Sequence, residues 1–355
     1  MPIPLVTVLI DTYNHQSFIG DAIDSVLKQD FPAPETEILV VDDGSTDATP
    51  EVVRKFAPRV KLLRKKNGGQ ASAFNAGIPE AHGEIVAFLD GDDWWAPGKL
   101  AAVTESFAAN ADVGLVGHGI TEVHLDGRQR TETPRETKRF RITSTEEAKT
   151  FCILRGFLGT SRMAYRREIL LRIGCVPESL EFEADEYLFT LAGLFAEVMI
   201  LPESLTFYRL HDRNLYQLTN GDRQAIRRKQ RILTSLVQSL EEKLKQSGVP
   251  FEIVRTILEC VQVEADVLRL VVDSGFPWET VAAELKIMRI FHSDASIRQH
   301  LFSYLRLAPA LMLPARTYYR WRRLLSLSPF YQEFRRKLLP FPVPNQVDRR
   351  EKLAP

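Results

Sequence analysis

Residues 85–93 read IVAFLDGDD, a run of five apolar residues followed by three closely spaced carboxylates. Two similar runs come earlier, at Leu5–Ile10 and Glu37–Asp42, and their short, apolar, often β-branched character is expected of strands buried on both faces. Between these two runs, residues 17–29 repeat apolar side chains at helical spacing. The alternation predicts a largely parallel sheet with right-handed crossovers, whose ligands bind beyond the carboxyl ends of the strands.

Weaker patterns of the same kinds continue along the chain. Thr49-Pro50-Glu51 has the capping hydroxyl, proline and early acid of a helix start. Asp126-Gly127 lies between two strand-like segments and is typical of a hairpin turn. Glu186–Phe195 repeats apolar residues at helical spacing, whereas Val198–Tyr208 is strand-like with an interruption at Pro202.

The pattern changes after about Gln224, where nearly every segment is helical and carries many charged positions. We therefore expect a boundary near residues 222–226. It separates an α/β region at 1–224 from a helical C-terminal region at 225–355.

The composition is that of an ordinary globular protein, with 45% hydrophobic and 26% charged residues in a chain of 355. Cys152, Cys175 and Cys260 lack metal-binding or paired spacing, so we expect buried thiols in a reducing compartment. The N-terminus does not resemble a signal peptide, and the longest late apolar stretch is Leu307–Ala315, too short to span a bilayer. These features predict a cytoplasmic protein without a transmembrane helix.

Charge is unevenly distributed although the net charge is zero. Residues 301–355 contain eleven Lys and Arg against three Asp and Glu, and residues 301–340 mix these cations with aromatic side chains. This composition favours peripheral contact with the inner face of a membrane. Packing on a protein partner or binding RNA are the alternatives, but no nucleic-acid-binding module accompanies the segment, so we expect no nucleic acid partner.

Two carboxylate clusters follow predicted strands. Asp42-Asp43 ends the second strand, and Asp90-Gly91-Asp92-Asp93 ends the third. Carboxylate oxygens beside a glycine suit Mg²⁺ or Mn²⁺ held together with substrate phosphates. A solvated acidic turn is the alternative explanation for each cluster.

A glycine-containing segment lies between the clusters. Asn67-Gly68-Gly69-Gln70 is followed by Asn75-Ala76-Gly77. Glycines here would let backbone N–H groups approach a nucleotide, and the Asn75 side chain would do the same, although a simple turn also explains the first segment.

Four ordered motifs together carry a resemblance to a known family. VTVLIDTYNH at the first strand, DDGSTD after the second, NGGQASAFNAG and FLDGDDWWAPGKL resemble the nucleotide-binding half of the inverting family-2 glycosyltransferases. The resemblance covers roughly residues 1–215. It implies the A-type glycosyltransferase fold, a Rossmann-like mixed central sheet with flanking helices, with residues 1–100 for the nucleotide sugar and 101–224 for the acceptor.

The resemblance also implies roles for the residues of the donor site. Asp11, Thr12, Tyr13 and Asp43 would contact the nucleotide base, with Gly69 and Asn75 nearby. Asp90 would bind the ribose side. The family usually has proline at the position of Asp11, which leaves the role of that side chain open.

The metal and the chemical step are implied in the same way. Asp92 would bind Mg²⁺ or Mn²⁺, and His211, in a Tyr-Arg-Leu-His segment, would meet the metal and diphosphate. An inverting transfer needs a general base at the acceptor hydroxyl. The acidic segment before a predicted helix implies Asp185, with Glu183 and Glu186 as competitors.

The expected activity is transfer of one sugar from a UDP-, GDP- or dTDP-sugar to a glycan or lipid-linked acceptor. The Gln-x-x-Arg-Trp motif of processive synthases is absent, since Thr317 precedes Arg320-Trp321 where Gln would stand. No G-x-G-x-x-G follows the first strand, which excludes a typical dinucleotide-binding dehydrogenase. A catalytically inactive binding scaffold with this fold is the alternative, and Ala184 in place of an acid favours it slightly.

Overall fold

A computed structural model of the chain describes residues 5–211, 214, 223–291 and 307–327. They form two compact units. The first comprises Met1–Ile142 and Leu158–Asp212, and the second comprises Thr143–Phe157 and Arg213–Pro355. The segment Thr143–Phe157 therefore groups with the helical C-terminal region, which differs from the single boundary expected near residues 222–226.

Ten strands belong to one sheet in the described chain. They are β1 Val6–Thr12, β2 Thr36–Asp42, β3 Lys61–Arg64, β4 Ile85–Asp90, β5 Trp94–Trp95, β6 Val113–His124, β7 Gln129–Glu132, β8 Lys138–Phe140, β9 Met163–Arg166 and β10 Glu197–Leu210.

The helices alternate with these strands and then follow them. They are α1 Ile19–Leu27, α2 Thr49–Arg54, α3 Gln70–Gly77, α4 Lys99–Ala109, α5 Thr145–Leu154, α6 Arg167–Ile173, α7 Ala184–Phe195, α8 Arg223–Gln246, α9 Phe251–Asp273, α10 Pro277–Phe291, α11 Leu307–Met312 and α12 Ala315–Leu327.

The sheet is mixed, as expected for the A-type glycosyltransferase fold. Its strand order is β3-β2-β1-β4-β9-β6-β10-β5, with β7 beside β6 and β8 beside β10. Strands β3, β2, β1 and β4 are parallel, and β9 runs antiparallel to both β4 and β6. The predicted hairpin at Asp126-Gly127 joins β6 to β7, and the interruption at Pro202 coincides with a register shift in β10.

The three apolar runs form central strands because their side chains are buried on both faces of the sheet. Val8 and Ile10 in β1 and Ala87 and Leu89 in β4 are fully buried in one hydrophobic core. The predicted helical face of residues 17–29 packs into the same core. Its buried side chains are Ile19, Ala22, Ile23 and Val26.

Register brings the ends of the parallel strands together. Asp11 at the end of β1 pairs with Asp90 at the end of β4, and Thr12 pairs with Asp42 at the end of β2. Two further backbone bonds extend these pairs, Asp43 N–H to the Thr12 carbonyl and Gly91 N–H to the Asp11 carbonyl, each 2.9 Å long. The two carboxylate clusters of the sequence therefore meet at one edge of the sheet.

The second unit is helical and contains a buried ionic group. Helices α8 and α9 are joined by a short turn, and Arg155 of α5's C-terminal end, Lys229 and Glu264 are all nearly inaccessible. Glu264 lies 3.2 Å from the Arg155 guanidinium and 3.3 Å from the Lys229 ammonium. The Glu264 carboxylate thus pairs with both cations, and buried charges need such partners because burial removes their hydration.

The aromatic side chains of the basic tail correct one expectation. Tyr318 and Tyr319 of α12 are buried in a core with Leu270 and Ala283, and Trp321 packs against that core. These rings therefore do not form the outward face expected of an interfacial membrane helix. The remainder of this segment, residues 301–306 and 328–355, lies outside the described residues. Among the described helices, none is long and apolar enough to cross a bilayer.

The cysteine expectation holds at two of three positions. Cys152 and Cys260 are buried, but Cys175 is exposed. Cys175 follows Gly174 in the loop after α6.

Candidate active site

The candidate site is an acidic crevice at the carboxyl ends of β1 and β4. Four carboxyl groups line it, those of Asp11, Asp90, Asp92 and Asp93. The side chain of Thr12 packs directly over Gly91, where an added Cβ would lie 2.5 Å from the Thr12 hydroxyl oxygen. Gly91 is thus required for the close approach of β1 and the acidic loop.

Two histidines stand beside Asp92. His211 Nε2 lies 3.0 Å from Asp92 Oδ2, and both side chains are almost fully buried. His15 Nε2 lies 3.8 Å from the same oxygen, and its Nδ1 is 3.3 Å from the Thr12 hydroxyl. His211 is predicted from its Tyr-Arg-Leu-His segment, whereas nothing in the spacing of His15 indicates a ligand.

The histidines keep Asp92 ionised. Burial alone would raise the pKa of Asp92, but the charge of His15 and the hydrogen bond with His211 outweigh burial and lower it. Asp92 is therefore the carboxylate best suited to meet a cation.

The other three carboxyl groups behave oppositely. Burial, with repulsion from Asp92, raises the pKa of Asp11 to about 8. Burial and neighbouring carboxylates also raise the pKa of Asp90 and of Asp93 well above the usual range. Like charges crowded in a poorly solvated space favour the protonated form, and a bound cation reverses that preference.

Ser161 links two of these carboxyl groups. Its hydroxyl is 2.6 Å from Asp93 Oδ2 and 3.2 Å from Asp90 Oδ2, and it accepts a 3.0 Å bond from the Asp90 backbone N–H. The residue is 3% exposed and lies in a short 3₁₀ helix before β9. Ser161 therefore fixes the acidic loop from the side opposite β1.

The backbone carbonyl of Ser161 is held by three side chains. It accepts bonds from the Lys99 ammonium at 2.7 Å, the Thr206 hydroxyl at 2.7 Å and the Trp95 indole N–H at 3.2 Å. Lys99 is fully buried, and its ammonium also lies 3.7 Å above the Trp95 ring. Burial lowers the pKa of Lys99 well below its usual range. A buried lysine is costly, so its satisfaction here indicates that the position of Ser161 matters.

Arg209 fastens the acidic loop to β10. Its backbone N–H donates to Asp93 Oδ1 and its Nε donates to the Asp92 carbonyl, both at 3.0 Å. The guanidinium lies over the rings of Phe18 and Trp94 and reaches Asp21 at 2.8 Å. These contacts explain how the Tyr-Arg-Leu-His segment brings His211 to Asp92.

Asp43 organises the glycine segment. Its carboxylate accepts backbone N–H bonds from Gly68 at 3.0 Å and from Gly69 at 2.7 Å, and the Lys65 ammonium lies 2.6 Å away. Gly69 has φ 84°, a left-handed conformation that favours glycine, and an added Cβ would meet the Glu181 backbone at 2.8 Å. The glycines thus serve close packing of two loops.

Gln70 continues this connection to the acceptor half. Its side chain donates to the Thr160 hydroxyl at 2.9 Å and accepts from the Ala184 backbone N–H at 3.2 Å. Its own N–H donates to the Glu181 carbonyl at 2.9 Å. Gln70 therefore positions the start of α7, which the sequence did not indicate.

The predicted nucleotide contacts separate into two groups. Thr12 is buried, while the adjacent Tyr13 is 43% exposed. Asn75 is different, because both atoms of its amide bond the Val176 backbone, at 2.7 and 2.8 Å. We therefore reassign Asn75 to holding the loop after α6 rather than to a nucleotide.

The three acids proposed as general base lie together at the start of α7. Glu183 precedes the helix with φ 68°, and Asp185 and Glu186 occupy its first turn. All three are buried. The charge of Asp185 contributes, behind burial and nearer carboxylates, to the raised pKa values of Asp11 and Asp90.

A divalent cation fits the donor chemistry of Asp92 and His211, since carboxylate and imidazole are ligands that Mn²⁺ accepts. Within residues 5–211 and the other described ranges, no group of three His, Cys, Asp or Glu side chains is arranged to hold a metal ion. Substrate phosphate oxygens and water would have to complete the shell, as is usual for Mg²⁺ sites.

The mixed sheet with flanking helices is that of the A-type glycosyltransferase fold. Residues 7–174 match the model of glycosyl transferase family 2. The match covers just under half of the chain, so it is this part of the chain that resembles the family.

One sequence relative and two solved structures are also similar to the chain. A glycosyltransferase of Nostoc sp. is 34% identical over 220 residues, 59% of this chain and 66% of the relative, so the chain spans just under two thirds of its length. The structure of Staphylococcus aureus TarS 1–349 in complex with UDP-GlcNAc is similar with a TM-score of 0.53 and 20% identity, over 81% of this chain and 89% of that one. The structure of a mannosyltransferase from Pyrobaculum calidifontis in complex with GDP-Man and Mn²⁺ is similar with a TM-score of 0.54 and 22% identity. The similarity covers 93% of this chain and 83% of that one.

Proposed function

We propose that the protein transfers a single sugar from a nucleotide-sugar donor to a glycan or lipid-linked acceptor, with a divalent metal and inversion at the anomeric carbon. The observation that carries the proposal is the contact between Asp92 and His211 in a crevice of buried carboxyl groups. Such a crevice is electrostatically unfavourable when empty of cations and favourable once a cation binds.

The donor lies against the ends of β1 and β2 in this proposal. Tyr13 and the backbone around Asp11 and Thr12 face the base, and Asp90 faces the ribose. Asp43 acts indirectly, because its carboxylate already holds Gly68 and Gly69. Two solved structures with this fold are described in complex with UDP-GlcNAc and with GDP-Man, which supports a nucleotide sugar without choosing its base.

Asp92 and His211 would hold the Mg²⁺ or Mn²⁺. A bound cation of this kind neutralises negative charge that develops on the leaving diphosphate. The charge of His15 helps to keep Asp92 ionised, the form in which a carboxylate binds a cation. The buried carboxyl groups of Asp11, Asp90 and Asp93 would ionise more readily once a cation is bound and would then add to its attraction.

Asp185 is the proposed general base. Its carboxylate takes the proton of the acceptor hydroxyl as the oxygen attacks the anomeric carbon, and the bond from that carbon to the diphosphate oxygen breaks. Attack on the face opposite the leaving group inverts the configuration. Glu186, in the same helical turn, and Glu183 are the alternatives within this region.

The acceptor class rests on weaker support. A poly(ribitol-phosphate) N-acetylglucosaminyltransferase of Staphylococcus aureus is 39% identical, but only over 92 residues. Contact with the inner face of a membrane would use exposed apolar residues rather than the buried tyrosines of α12. Leu311, Met312 and Leu324 are exposed, beside the exposed Arg316 and Arg320.

A donor screen tests the proposal. Thermal unfolding is followed with UDP-, GDP- and dTDP-sugars, each with Mn²⁺ or with EDTA. A ligand that binds only the folded state stabilises it and so raises the melting temperature. At a ligand concentration of a hundred times the dissociation constant, the added stability is about 2.7 kcal/mol. We expect one nucleotide class to stabilise the protein and Mn²⁺ to increase the effect.

The rival function is an inactive scaffold that binds a nucleotide sugar without transferring the sugar. Binding in the screen with no nucleoside diphosphate release, at any acceptor concentration and with Mn²⁺ present, would favour the scaffold.

A further inference from the structure

A cleft in the second unit carries several cationic side chains. It lies between the N-terminal part of α8 and the C-terminal part of α9, which are neighbours because the two helices form an antiparallel pair. Its volume is about 530 Å³, within the range of small-molecule sites. The polar residues that line it are Gln224, Arg227, Gln230, Arg231, Arg269 and Asp273.

The charges in this cleft are not balanced. Three guanidinium groups face one carboxylate, and the contact of Arg227 with Asp273 is long, at 3.4 Å. Arg269 meets Glu279 at 3.3 Å. Arg231 has no ion pair within the part of the chain that the structure describes. The cleft therefore retains positive charge after its internal pairs are formed.

Helix stabilisation does not explain this charge. Residues 223–231 contain five Lys and Arg and no Asp or Glu. They form the N-terminal part of α8, where the helix dipole favours acidic side chains. Of the five cations, Lys229 is buried and paired with Glu264. Arg227 and Arg231, four residues apart, share one face of the helix and point to the same cleft.

We propose that this cleft, the α8–α9 arginine cleft, binds a phosphate-bearing group. Guanidinium groups donate paired N–H bonds that match two oxygens of a phosphate. Arg231 and Arg269 approach the group from the two helices that form the cleft. The ligand class is a diphosphate or a phosphodiester, with either a lipid headgroup or a water-soluble phosphate compound as its source.

The proposal stands apart from the donor site. The α8–α9 arginine cleft shares no residue with the acidic crevice, and it needs no metal because its charge is already positive. Binding is therefore measured in EDTA, which suppresses metal-dependent binding in the crevice.

The test compares two double variants of the full chain. Arg231→Gln with Arg269→Gln removes two charges from the cleft. Arg255→Gln with Arg289→Gln removes two charges from exposed arginines of α9 and α10 that pair with Glu252 and Glu259 outside it. All four positions are exposed, and equal melting temperatures confirm that both variants fold.

Two probes distinguish the sources of phosphate. Calorimetric titration with inorganic pyrophosphate reports a water-soluble ligand, and sedimentation with phosphatidylglycerol vesicles, against phosphatidylcholine vesicles, reports a headgroup. We expect the cleft variant to lose at least tenfold in affinity for one probe while the control variant stays within twofold of the wild type. Loss with pyrophosphate alone indicates a soluble ligand, and loss with vesicles a lipid. If neither probe distinguishes the two variants, the proposal is wrong.

Discussion

His211 Nε2 lies 3.0 Å from Asp92 Oδ2, although the two residues are 119 positions apart in the chain. The contact joins the end of β4 to the end of β10, and Arg209 secures both by binding the Asp92 carbonyl. It is the point at which the two halves of the first unit complete one site.

Replacing His211 by alanine is expected to weaken metal binding more than folding. The imidazole is a ligand for the cation in our proposal, and its loss leaves Asp92 as the only protein ligand. The Mn²⁺ concentration for half-maximal turnover should rise about 10–100-fold. The matched control is His82→Ala, since His82 is exposed and pairs with Glu37 away from the crevice. An unchanged Mn²⁺ requirement in His211→Ala would remove His211 from the metal site.

Replacing Asp11 by asparagine should stabilise the metal-free protein in a pH-dependent way. The pKa of Asp11 is raised from 3.8 to about 8, so the folded state binds a proton more tightly than the unfolded state. Its contribution to stability therefore falls as the pH rises from about 4 to about 8. Asparagine imitates the protonated acid and removes that loss.

The prediction is read from melting temperatures in EDTA between pH 4 and pH 9. The melting temperature of Asp11→Asn, relative to that of the wild type, should be nearly unchanged at about pH 4 and higher by about 2–8 °C at about pH 8. One kcal/mol of stability corresponds to a few degrees. Asp126→Asn, at an exposed turn, should show no such trend. A gain that is constant across this range would contradict the raised pKa.

Ser161→Ala should impair both stability and turnover. The change removes the hydroxyl that bonds Asp90 and Asp93, and it leaves buried polar groups unsatisfied at a cost of about 1–3 kcal/mol. Chemical denaturation measures the stability, and initial rates measure the turnover. Ser106→Ala is the control, because the Ser106 hydroxyl bonds only its own helix backbone. Full turnover in a Ser161→Ala protein would show that the acidic loop needs no such support.

Asp185→Asn should separate donor binding from transfer. The amide keeps the shape of the side chain but cannot take a proton from the acceptor, so turnover should fall by about 10²–10⁴-fold. The donor-induced rise in melting temperature should be unchanged. Glu186→Gln and Glu183→Gln are the comparison variants. If one of them loses transfer and Asp185→Asn does not, the base is that residue.

The sequence predicted the central strands and their convergence well, because Leu5–Ile10, Glu37–Asp42 and Ile85–Leu89 are buried on both faces and leave little choice of structure. Parallel pairing brings the carboxyl ends of these strands to one edge of the sheet, where Asp11 and Asp90 are paired. Such features depend on local composition, which a single sequence displays.

Other parts of the site depend on contacts between distant segments, and the sequence did not reveal them. His15, Ser161 and Gln70 have ordinary neighbours in sequence, and their roles arise only when the chain folds. The burial of Tyr318 and Tyr319 was likewise not evident from the sequence. Their aromatic and basic surroundings suit a membrane surface, yet the helical unit buries both rings in its own core.

The most direct test of the proposed function is the release of nucleoside diphosphate from the donor selected in the screen. The rate is measured with Mn²⁺ for the wild type and for Asp92→Ala, with Asp126→Ala as the control for loss of an exposed carboxylate. We predict Mn²⁺-dependent release by the wild type and the control, and a loss of at least a hundredfold in Asp92→Ala. Equal rates for Asp92→Ala and the wild type would contradict a metal-dependent transfer at this crevice.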